Sequence, residues 1–357
     1  MSSLLLKRRE KVLLKAEELG LNQVFVSNVE NIYYFTGFWG GGYLLLSRDG
    51  AKLFTGLLER FRAQENSFET EVVTPALGVP ISSKLKEHVK GSLLADEIPF
   101  TLKESLEKSL DVSLKVHPKI FYSMRRVKDE NEISLIREAS KRVDMLYEFS
   151  TKVIREGVSE REIASRVVGE ALSLGLDTPY VNTDFTPIIV ASGPNSSFPH
   201  AQVSDRRLRS GDVVKLDFFF RYKGYVSDET RTFILGSASN DFREAYETVL
   251  HAQEEGLKAV KAGVKASDVD LACRKVIEEK GLQEYFVHGT GHGVGLEVHE
   301  PPTISVNQSE LLEGGNVVTV EPGIYFPGKF GVRIEDTVYV GDSAVCLTSF
   351  TKELVEL

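Results

Sequence analysis

Two stretches of the chain repeat each other: Gly211-Asp212-Val213-Val214-Lys215-Leu216-Asp217 and Gly315-Asn316-Val317-Val318-Thr319-Val320-Glu321. Each runs from a glycine through a mostly apolar segment to an acid. A second acid follows in both copies, within Asp228-Glu229-Thr230 and Glu335-Asp336-Thr337, and the two offsets are 104 and 107 residues. A solenoid needs three or more shorter repeats, so two units of this length predict one pseudo-symmetric domain.

Two predicted helices precede the repeated strands in each unit. Ser159-Glu160-Arg161-Glu162 matches a capping box that opens a helix, and Ser267 is the expected cap of its counterpart. Ile163-Ala164-Ser165-Arg166 in the first unit is echoed by Leu271-Ala272-Cys273-Arg274 in the second. The four helices are predicted at 128–155, 159–174, 240–261 and 267–280. The order helix, helix, strands therefore recurs.

Predicted strands follow the first helix pair at Thr186–Ala191, Val213–Phe220 and Tyr225–Leu235. Tyr222-Lys223-Gly224 joins the last two and is typical of a hairpin turn. The repeat then gives each unit one hairpin, with one acid on its first strand and one on its second.

Burying the four repeated acids would require positive charge beside them. Aspartate is disfavoured in strands, and the three phenylalanines after Asp217 indicate a buried sheet. An unpaired carboxylate is expensive to bury. A salt bridge would compensate one acid, but Arg333 is the only arginine that we find at the heart of these strands. Two divalent cations would compensate all four, and oxygen ligands suit hard or borderline metals such as Mn²⁺.

Three of the seven histidines, His288, His292 and His299, lie in one glycine-rich segment of twelve residues. A lone histidine is more often a packed core residue than a ligand, but the neighbouring glycines let the backbone approach a crowded centre. A dinucleotide-binding GxGxxG pattern would need glycine at Leu296. No GxSxG elbow occurs in the sequence, so a Ser-His-Asp site lacks support.

Composition excludes several classes of protein. The 357 residues are 42% hydrophobic and 27% charged, as in ordinary globular proteins, and their number favours two domains. A formal net charge of −9 argues against a nucleic-acid partner. Two cysteines, Cys273 and Cys346, are too few for a disulfide framework. With no apolar run long enough for a membrane span, we expect a cytoplasmic protein.

The motifs resemble those of the pita-bread metallopeptidases, which include prolidase, aminopeptidase P and methionine aminopeptidase. The matches are the Asp217 and Asp228 hairpin, the histidine segment, Glu321-Pro322-Gly323-Ile324-Tyr325, and Gly331-Val332-Arg333-Ile334-Glu335-Asp336. The first third alternates helical and strand patterns, and its Asn31–Gly37 segment resembles the creatinase-type N-terminal domain. Methionine aminopeptidase lacks that domain. The resemblance implies an α/β N-terminal domain at 1–123 and an α+β pita-bread catalytic domain at 124–357.

The resemblance also implies a role for each site residue. Asp217 would hold one metal, His292 and Glu321 the other, and Asp228 and Glu335 both. The remaining predicted catalytic residues are His200 and His299, which would approach the substrate, and the outer pair Tyr325 and Arg333. All five metal ligands are present, whereas relatives without catalysis have lost some of them.

The implied activity is hydrolysis of Xaa-Pro dipeptides. Two cations, Mn²⁺ or Co²⁺ with Zn²⁺ as a third candidate, would lower the pKa of a bridging water and supply hydroxide at neutral pH. Glu321 would act as general base. Aminopeptidase P, which removes the residue before proline from longer peptides, is the nearest alternative, and a peptide-binding module without catalysis is a further one. Relatives of this kind commonly form homodimers.

Overall fold

A mixed six-stranded sheet organises the N-terminal part of the chain in the computed structural model, which describes residues 2–178 and 188–357. Its strands are β1 (Val24–Val26), β2 (Tyr43–Ser47), β3 (Gly50–Phe54), β4 (Glu71–Val73), β5 (Ser92–Ala95) and β6 (Ser113–Val116). They lie in the order β4-β3-β2-β1-β5-β6. Strand β1 pairs antiparallel with β2 and parallel with β5, so the predicted α/β character is confirmed.

Six helices accompany this sheet: α1 (Ser2–Glu18), α2 (Val29–Thr36), α3 (Arg60–Asn66), α4 (Ile81–Lys86), α5 (Phe100–Leu110) and α6 (Pro118–Arg126). The central strand β1 is buried throughout, and Phe25 packs with Leu45, Phe54 and Leu93 in one hydrophobic core. The chain divides into two units, Met1–Arg125 and Arg126–Leu357. The sequence prediction placed the boundary two residues earlier.

The second unit contains the two predicted helix pairs, α7 (Glu130–Val153) with α8 (Glu160–Ser173) and α9 (Asn240–Ala259) with α10 (Ala266–Glu279). The predicted capping box is present, because the Ser159 side chain accepts from the Glu162 amide. The predicted Ser267 cap is wrong, since α10 begins after Lys265. Backbone carbonyls of 308 and 310 accept from the amides of 267 and 266 instead, so the helix start needs no side-chain cap.

Three antiparallel strands form the sheet of the first repeat: β7 (Ile188–Ser192), β8 (Val213–Tyr222) and β9 (Tyr225–Ile234). The predicted start of β7, Thr186, lies outside the described residues. Strands β8 and β9 turn at Lys223 and Gly224, as predicted, and both of these residues have positive φ. Asp217 lies opposite Thr230 and Asp228 lies opposite Phe219 in the register.

The second repeat is less regular than the first. Its strands are β10 (Gly291–Gly293), β11 (Glu300–Ile304), β12 (Val317–Val320), β13 (Gly323–Phe326), β14 (Phe330–Arg333), β15 (Asp336–Val340) and β16 (Ala344–Cys346). Five of them form one sheet in the order β11-β10-β12-β15-β16, while β13 and β14 form a separate hairpin. The predicted second hairpin is broken beside both acids, with β13 and β14 as its separate tip. Glu321 therefore directly follows β12 and Glu335 directly precedes β15, instead of lying within the strands.

Alternation along β8 and β12 separates a core face from a site face. Leu216 and Phe218 of β8 pack with Tyr147 of α7 in one core, and Val318 and Val320 of β12 pack beneath α9 and α10 in another. Asp217 therefore points to the opposite face of its sheet. Each helix pair covers one face of its strands and leaves the other for polar residues.

Both cysteines are free: Cys273 is buried, and Cys346 lies at the surface. Among the helices within residues 2–178 and 188–357, none combines the length and the apolar character needed to cross a membrane.

Candidate metal centre

The five predicted metal ligands meet at one cavity of the second unit. The cavity is lined by carboxylates from both repeats and by histidines, namely Asp217, Asp228, Glu321, Glu335, His200, His292 and His299, with Arg333 beside them. Strands β8, β9 and β10 carry Asp217, Asp228 and His292. Residues far apart in the chain are thus brought together by the pairing of the two repeats.

His292 lies among the acids. Its Nε2 is 3.3 Å from Glu321 Oε1 and 3.8 Å from Asp228 Oδ2. Ligand atoms of Asp228, His292 and Glu335 all lie within 4.8 Å of one another. Bonds to a cation of about 2.1 Å place its ligands within roughly 4 Å of one another, so this spacing is close to that of a coordination sphere.

The ring orientation of His292 suits a metal ligand. Its Nδ1 lies 3.1 Å from the Gly293 carbonyl, which can only accept a hydrogen bond, so Nδ1 carries the proton. Nε2 then faces the carboxylates, where its lone pair would be available to a bound cation. Fixing the tautomer through a backbone carbonyl is the usual arrangement behind histidine ligands.

Three buried carboxylates and the partly buried Glu321 repel one another around this cavity. Burial, followed by the charges of Asp217 and Glu321, raises the pKa of Asp228 well above its ordinary value. Burial and then the charges of Asp228 and Glu321 do the same to the pKa of Glu335. Burial also acts to raise the pKa of Glu321, but the contact with His292 outweighs it and brings that pKa to about 2. Cations would remove this repulsion.

Two carboxylate oxygens at the site lack a hydrogen-bond partner among the described residues. Asp217 Oδ1 and Asp228 Oδ1 are buried, and no described residue makes a hydrogen bond to either. Orphaned buried polar atoms are rare and call for an ion or water. The donor set of four carboxylates and one imidazole therefore fits divalent cations.

The salt-bridge alternative holds for one acid. Arg333 Nη2 pairs with Asp217 Oδ2 in a short contact, while its Nε is 4.0 Å from Glu321. A second arginine within these strands, Arg231, was missed by the sequence analysis. It is buried and pairs with Glu229 and Asp336, the residues that follow Asp228 and Glu335. Arg231 thus pairs with the acids beside the predicted ligands and not with the ligands themselves.

The glycine-rich segment approaches the strands as closely as expected. A Cβ added at Gly291 would lie 2.1 Å from the Thr319 carbonyl oxygen, and one at Gly293 would lie 2.6 Å from the Glu300 carbonyl oxygen. Backbone cannot move aside as a flexible side chain can. Glycine is therefore required on both sides of His292.

His200 and His299 lie at the same cavity. The His299 ring is 4.2 Å from the His292 ring, centroid to centroid. Burial and then the neighbouring His292 lower the pKa of His299 to about 4, and burial followed by Arg333 lowers the pKa of His200. Both rings are therefore neutral at pH 7, and each retains one N–H donor.

Comparison with known proteins identifies the family. Residues 134–342 match the model of metallopeptidase family M24, and residues 8–127 match the creatinase/prolidase N-terminal domain. The chain belongs to metallopeptidase family M24. The predictions of a metal-dependent hydrolase and of a pita-bread catalytic domain behind a creatinase-type domain are confirmed.

Relatives of this M24 chain align over nearly its whole length. The Xaa-Pro dipeptidase of Pyrococcus furiosus is 36% identical and covers 98% of this chain and 99% of its own. The structure of an Xaa-Pro dipeptidase from Bacillus anthracis matches with a TM-score of 0.91 at 33% identity, covering 99% and 100% of the two chains. An X-Pro aminopeptidase from Thermotoga maritima matches at 0.90 with 32% identity, covering 98% and 99%. Taken with the matches at family level, these comparisons favour prolidase over aminopeptidase P.

Tyr325 and Arg333, which were predicted to form an outer pair, contact each other. The Tyr325 hydroxyl accepts from Arg333 Nη1 at 3.1 Å and lies 2.9 Å from His288 Nε2. Burial, only partly opposed by Arg333, raises the pKa of Tyr325 to about 12, so the hydroxyl keeps its proton and donates it to His288. The Tyr325 hydroxyl thereby helps to hold the Arg333 guanidinium beside Asp217.

Three further residues at this centre were not predicted. Thr230 Oγ1 donates to Glu335 Oε2 at 2.7 Å and accepts from Arg333 Nε at 2.9 Å. Thr319 Oγ1 accepts from the His292 amide, and Lys215 is fully buried next to the site. The signal was present in the repeated segments themselves, because these residues alternate with the predicted ligands along the strands.

Proposed function

We propose that the protein is an Xaa-Pro dipeptidase, which hydrolyses the peptide bond before a carboxy-terminal proline. The observation that carries the proposal is the convergence of the five ligand-type side chains on a cavity that also holds His200, His299 and Arg333. The Xaa-Pro dipeptidase of Pyrococcus furiosus, aligned over nearly the whole chain, supports the substrate class.

Asp217 is assigned to one cation, His292 and Glu321 to the other, and Asp228 and Glu335 to both. Divalent cations held by these residues would supply an acidified water molecule and a Lewis acid for the scissile carbonyl. The paired arginine on Asp217 and the threonine on Glu335 hold these carboxylates in place before any cation binds. Such preorganisation lowers the cost of forming the centre.

Glu321 is the proposed general base. It lies at the cavity, ionised beside His292, and a carboxylate in this position accepts a proton from the attacking water. The same oxygen then returns the proton to the proline nitrogen as the peptide bond breaks. Proline has no amide proton of its own, so its nitrogen leaves as a secondary amine only after this transfer.

His200 and His299 are proposed to donate hydrogen bonds to the substrate. Their lowered pKa values leave both rings neutral at pH 7, and neutral rings donate without repelling the cations. One of two substrate groups would receive each bond: the oxyanion of the tetrahedral intermediate or the proline carboxylate. Alanine at either position is expected to lower kcat in the first case and raise KM in the second.

A comparison of peptide lengths tests the proposal. The protein is stripped with a chelator, reloaded with Mn²⁺, and assayed on Leu-Pro, Ala-Pro and a longer Ala-Pro-Yaa peptide. An Xaa-Pro dipeptidase strongly prefers the dipeptides. Equal or faster cleavage of the longer peptide would establish an aminopeptidase P, the candidate favoured by the Thermotoga maritima structure. A loaded protein that binds these peptides and cleaves none would be a binding module.

The identity of the metal, the cellular location and the oligomeric state are part of the same proposal. We assign Mn²⁺ or Co²⁺ as the cation, with Zn²⁺ as the third candidate, because carboxylates dominate the ligand set. A cytoplasmic location fits the two free cysteines. A homodimer rests on the resemblance, and sedimentation equilibrium of the loaded protein tests it.

A further inference from the structure

Lys215 shares the site face of strand β8 with Asp217. The two residues alternate with Val214 and Leu216, which belong to the hydrophobic core on the other face. Lys215 has 0% of its surface exposed. A buried ammonium requires hydrogen-bond acceptors, so its partners indicate why a lysine occupies this position.

The partners of Lys215 belong to the turn that carries His200. Its Nζ donates to the Phe198 carbonyl at 2.6 Å and to the Pro199 carbonyl at 3.3 Å. The remaining side of the ammonium faces the Tyr325 ring, 4.9 Å from its centroid. Asp217, the nearest acid along the strand, pairs with Arg333 instead. Lys215 is therefore directed at the two peptide groups immediately before His200.

A second cation contacts the same turn. Arg333 Nη1 donates to the Pro199 carbonyl at 3.2 Å, so this one oxygen receives hydrogen bonds from two buried basic side chains. The carbonyl of a residue and the Cα of the next belong to one rigid peptide plane. Holding the Pro199 carbonyl therefore fixes the positions of the His200 nitrogen and Cα, from which its side chain leaves the backbone.

The repeat supplies an independent parallel. Thr319 occupies the position in the second repeat that Lys215 occupies in the first, two residues before the acid of the first strand. Thr319 Oγ1 accepts from the His292 amide at 3.1 Å and lies 3.3 Å from Glu321 Oε1. In both halves this position holds the backbone beside a histidine of the site.

We propose that Lys215 is a positioning residue for His200, acting through the Phe198 and Pro199 carbonyls. The inference rests on the proposed function only in taking His200 to contact the substrate. Lys215 touches neither the substrate nor a cation in this scheme. Its effect on catalysis is entirely transmitted by His200.

A double-mutant cycle tests this transmission. Lys215→Met keeps the volume of the side chain and removes its donors, and His200→Ala removes the group on which it acts. On metal-loaded protein, Lys215→Met is expected to lower kcat/KM for Leu-Pro by about 10- to 100-fold, since a displacement of about 1 Å has effects of that size. In the His200→Ala background the same substitution should change kcat/KM by less than about 3-fold.

Controls separate positioning from general damage. Lys215→Met should retain the cation content of the wild type, measured by elemental analysis. Thr319→Val, the matched change in the other repeat, should weaken cation binding through His292, and its effect should persist in the His200→Ala background. Lys215→Gln, which keeps an NH₂ group as donor, should be less impaired than Lys215→Met and serves if the methionine variant does not fold.

A spectroscopic arm makes the outcome independent of the activity. In chelated protein, the Cε1–Hε1 NMR signal of His200 should shift in Lys215→Met, while that of the exposed His251 should not. Equal effects of Lys215→Met with and without His200, or an unchanged His200 signal, would overturn the inference. If the wild type cleaves no Xaa-Pro peptide, the proposed function fails, and the NMR arm alone decides whether Lys215 positions His200.

Discussion

Thr230 of the first repeat donates its hydroxyl proton to Oε2 of Glu335 in the second, at 2.7 Å. Thr337, the equivalent of Thr230 in the second repeat, contacts the first repeat in turn. Its hydroxyl accepts from the Asp228 amide and donates to the Asp228 carbonyl. The Glu335 amide in turn donates to the Thr230 carbonyl. Each half of the repeat therefore supplies a threonine that orients the acid of the other half.

Replacing Thr230 by valine should weaken the metal centre. The change removes the donor to Glu335 while keeping the side-chain volume, and loss of a group behind a metal ligand typically costs 10- to 100-fold in affinity. Competition with a fluorescent chelator measures this. Thr248→Val is the matched control, because the Thr248 hydroxyl is also buried but donates to Glu244 within its own helix. Equal affinities of the two variants would contradict the role of Thr230.

Cation removal should abolish activity, and so should Asp228→Asn. The amide keeps the shape of the side chain but loses the charge proposed to hold both cations, so fewer than two cations per chain should remain by elemental analysis. Asp268→Asn changes an exposed aspartate in the first turn of α10 and should leave the content unchanged. A fully loaded Asp228→Asn protein would show that the ligand assignment is wrong.

Acid should destabilise the metal-free protein partly through His288. Burial, with Arg333 nearby and only partly opposed by Glu321, lowers the pKa of His288 to about 4, below the ordinary histidine value of about 6.5. At pH values between these two, His288 binds a proton in the unfolded chain but not in the folded chain. The free energy of unfolding therefore falls as pH drops from about 6.5 to about 4, by on the order of 3 kcal/mol at this group.

Urea unfolding of chelated protein across this pH range measures the effect. His288→Gln should flatten the dependence, whereas His251→Gln, which changes a surface histidine of α9, should retain it. A pH dependence that is the same in His288→Gln and in the wild type would mean that other groups cause it.

Two glycine substitutions should act in opposite directions. Gly291→Ala places a methyl group against the Thr319 carbonyl oxygen, and the resulting displacement should lower the free energy of unfolding by roughly 1–3 kcal/mol and weaken cation binding. Gly169→Ala adds a methyl group with nothing within 4 Å, in the interior of α8. It should raise the stability by about 0.5–1 kcal/mol. Chemical denaturation of both variants provides the comparison, and a tolerated Gly291→Ala would contradict the close approach.

The repeat explains why the clustering of these side chains could be predicted from the sequence. Asp217, Asp228 and Glu335 lie in or beside regular strands, where the alternation of faces and the spacing of the repeat mark them. His292 can be recognised by its flanking glycines, because a close approach of the backbone requires glycine. Fold and family followed from the same residues.

Contacts between residues far apart in the chain were not marked by any local sequence pattern. The role of Arg231 depends on Glu229 and Asp336, which meet only in three dimensions. The breaks that separate β13 and β14 from β12 and β15 are also absent from the continuous strands β8 and β9 of the first repeat. The cap of α10 failed for the same reason: distant carbonyls serve the amide that a local serine was expected to serve. Tertiary context decided each of these features.

Because the ligands are divided between two halves that orient each other, neither half alone holds a complete site. The free energy of cation binding is therefore available only to a chain in which both halves have folded and met. At a free concentration one hundred times the dissociation constant, one cation adds about 2.7 kcal/mol to the stability of the whole unit. Scarcity of the metal would thus lower the amount of protein, through proteolysis of opened chains, as well as its activity.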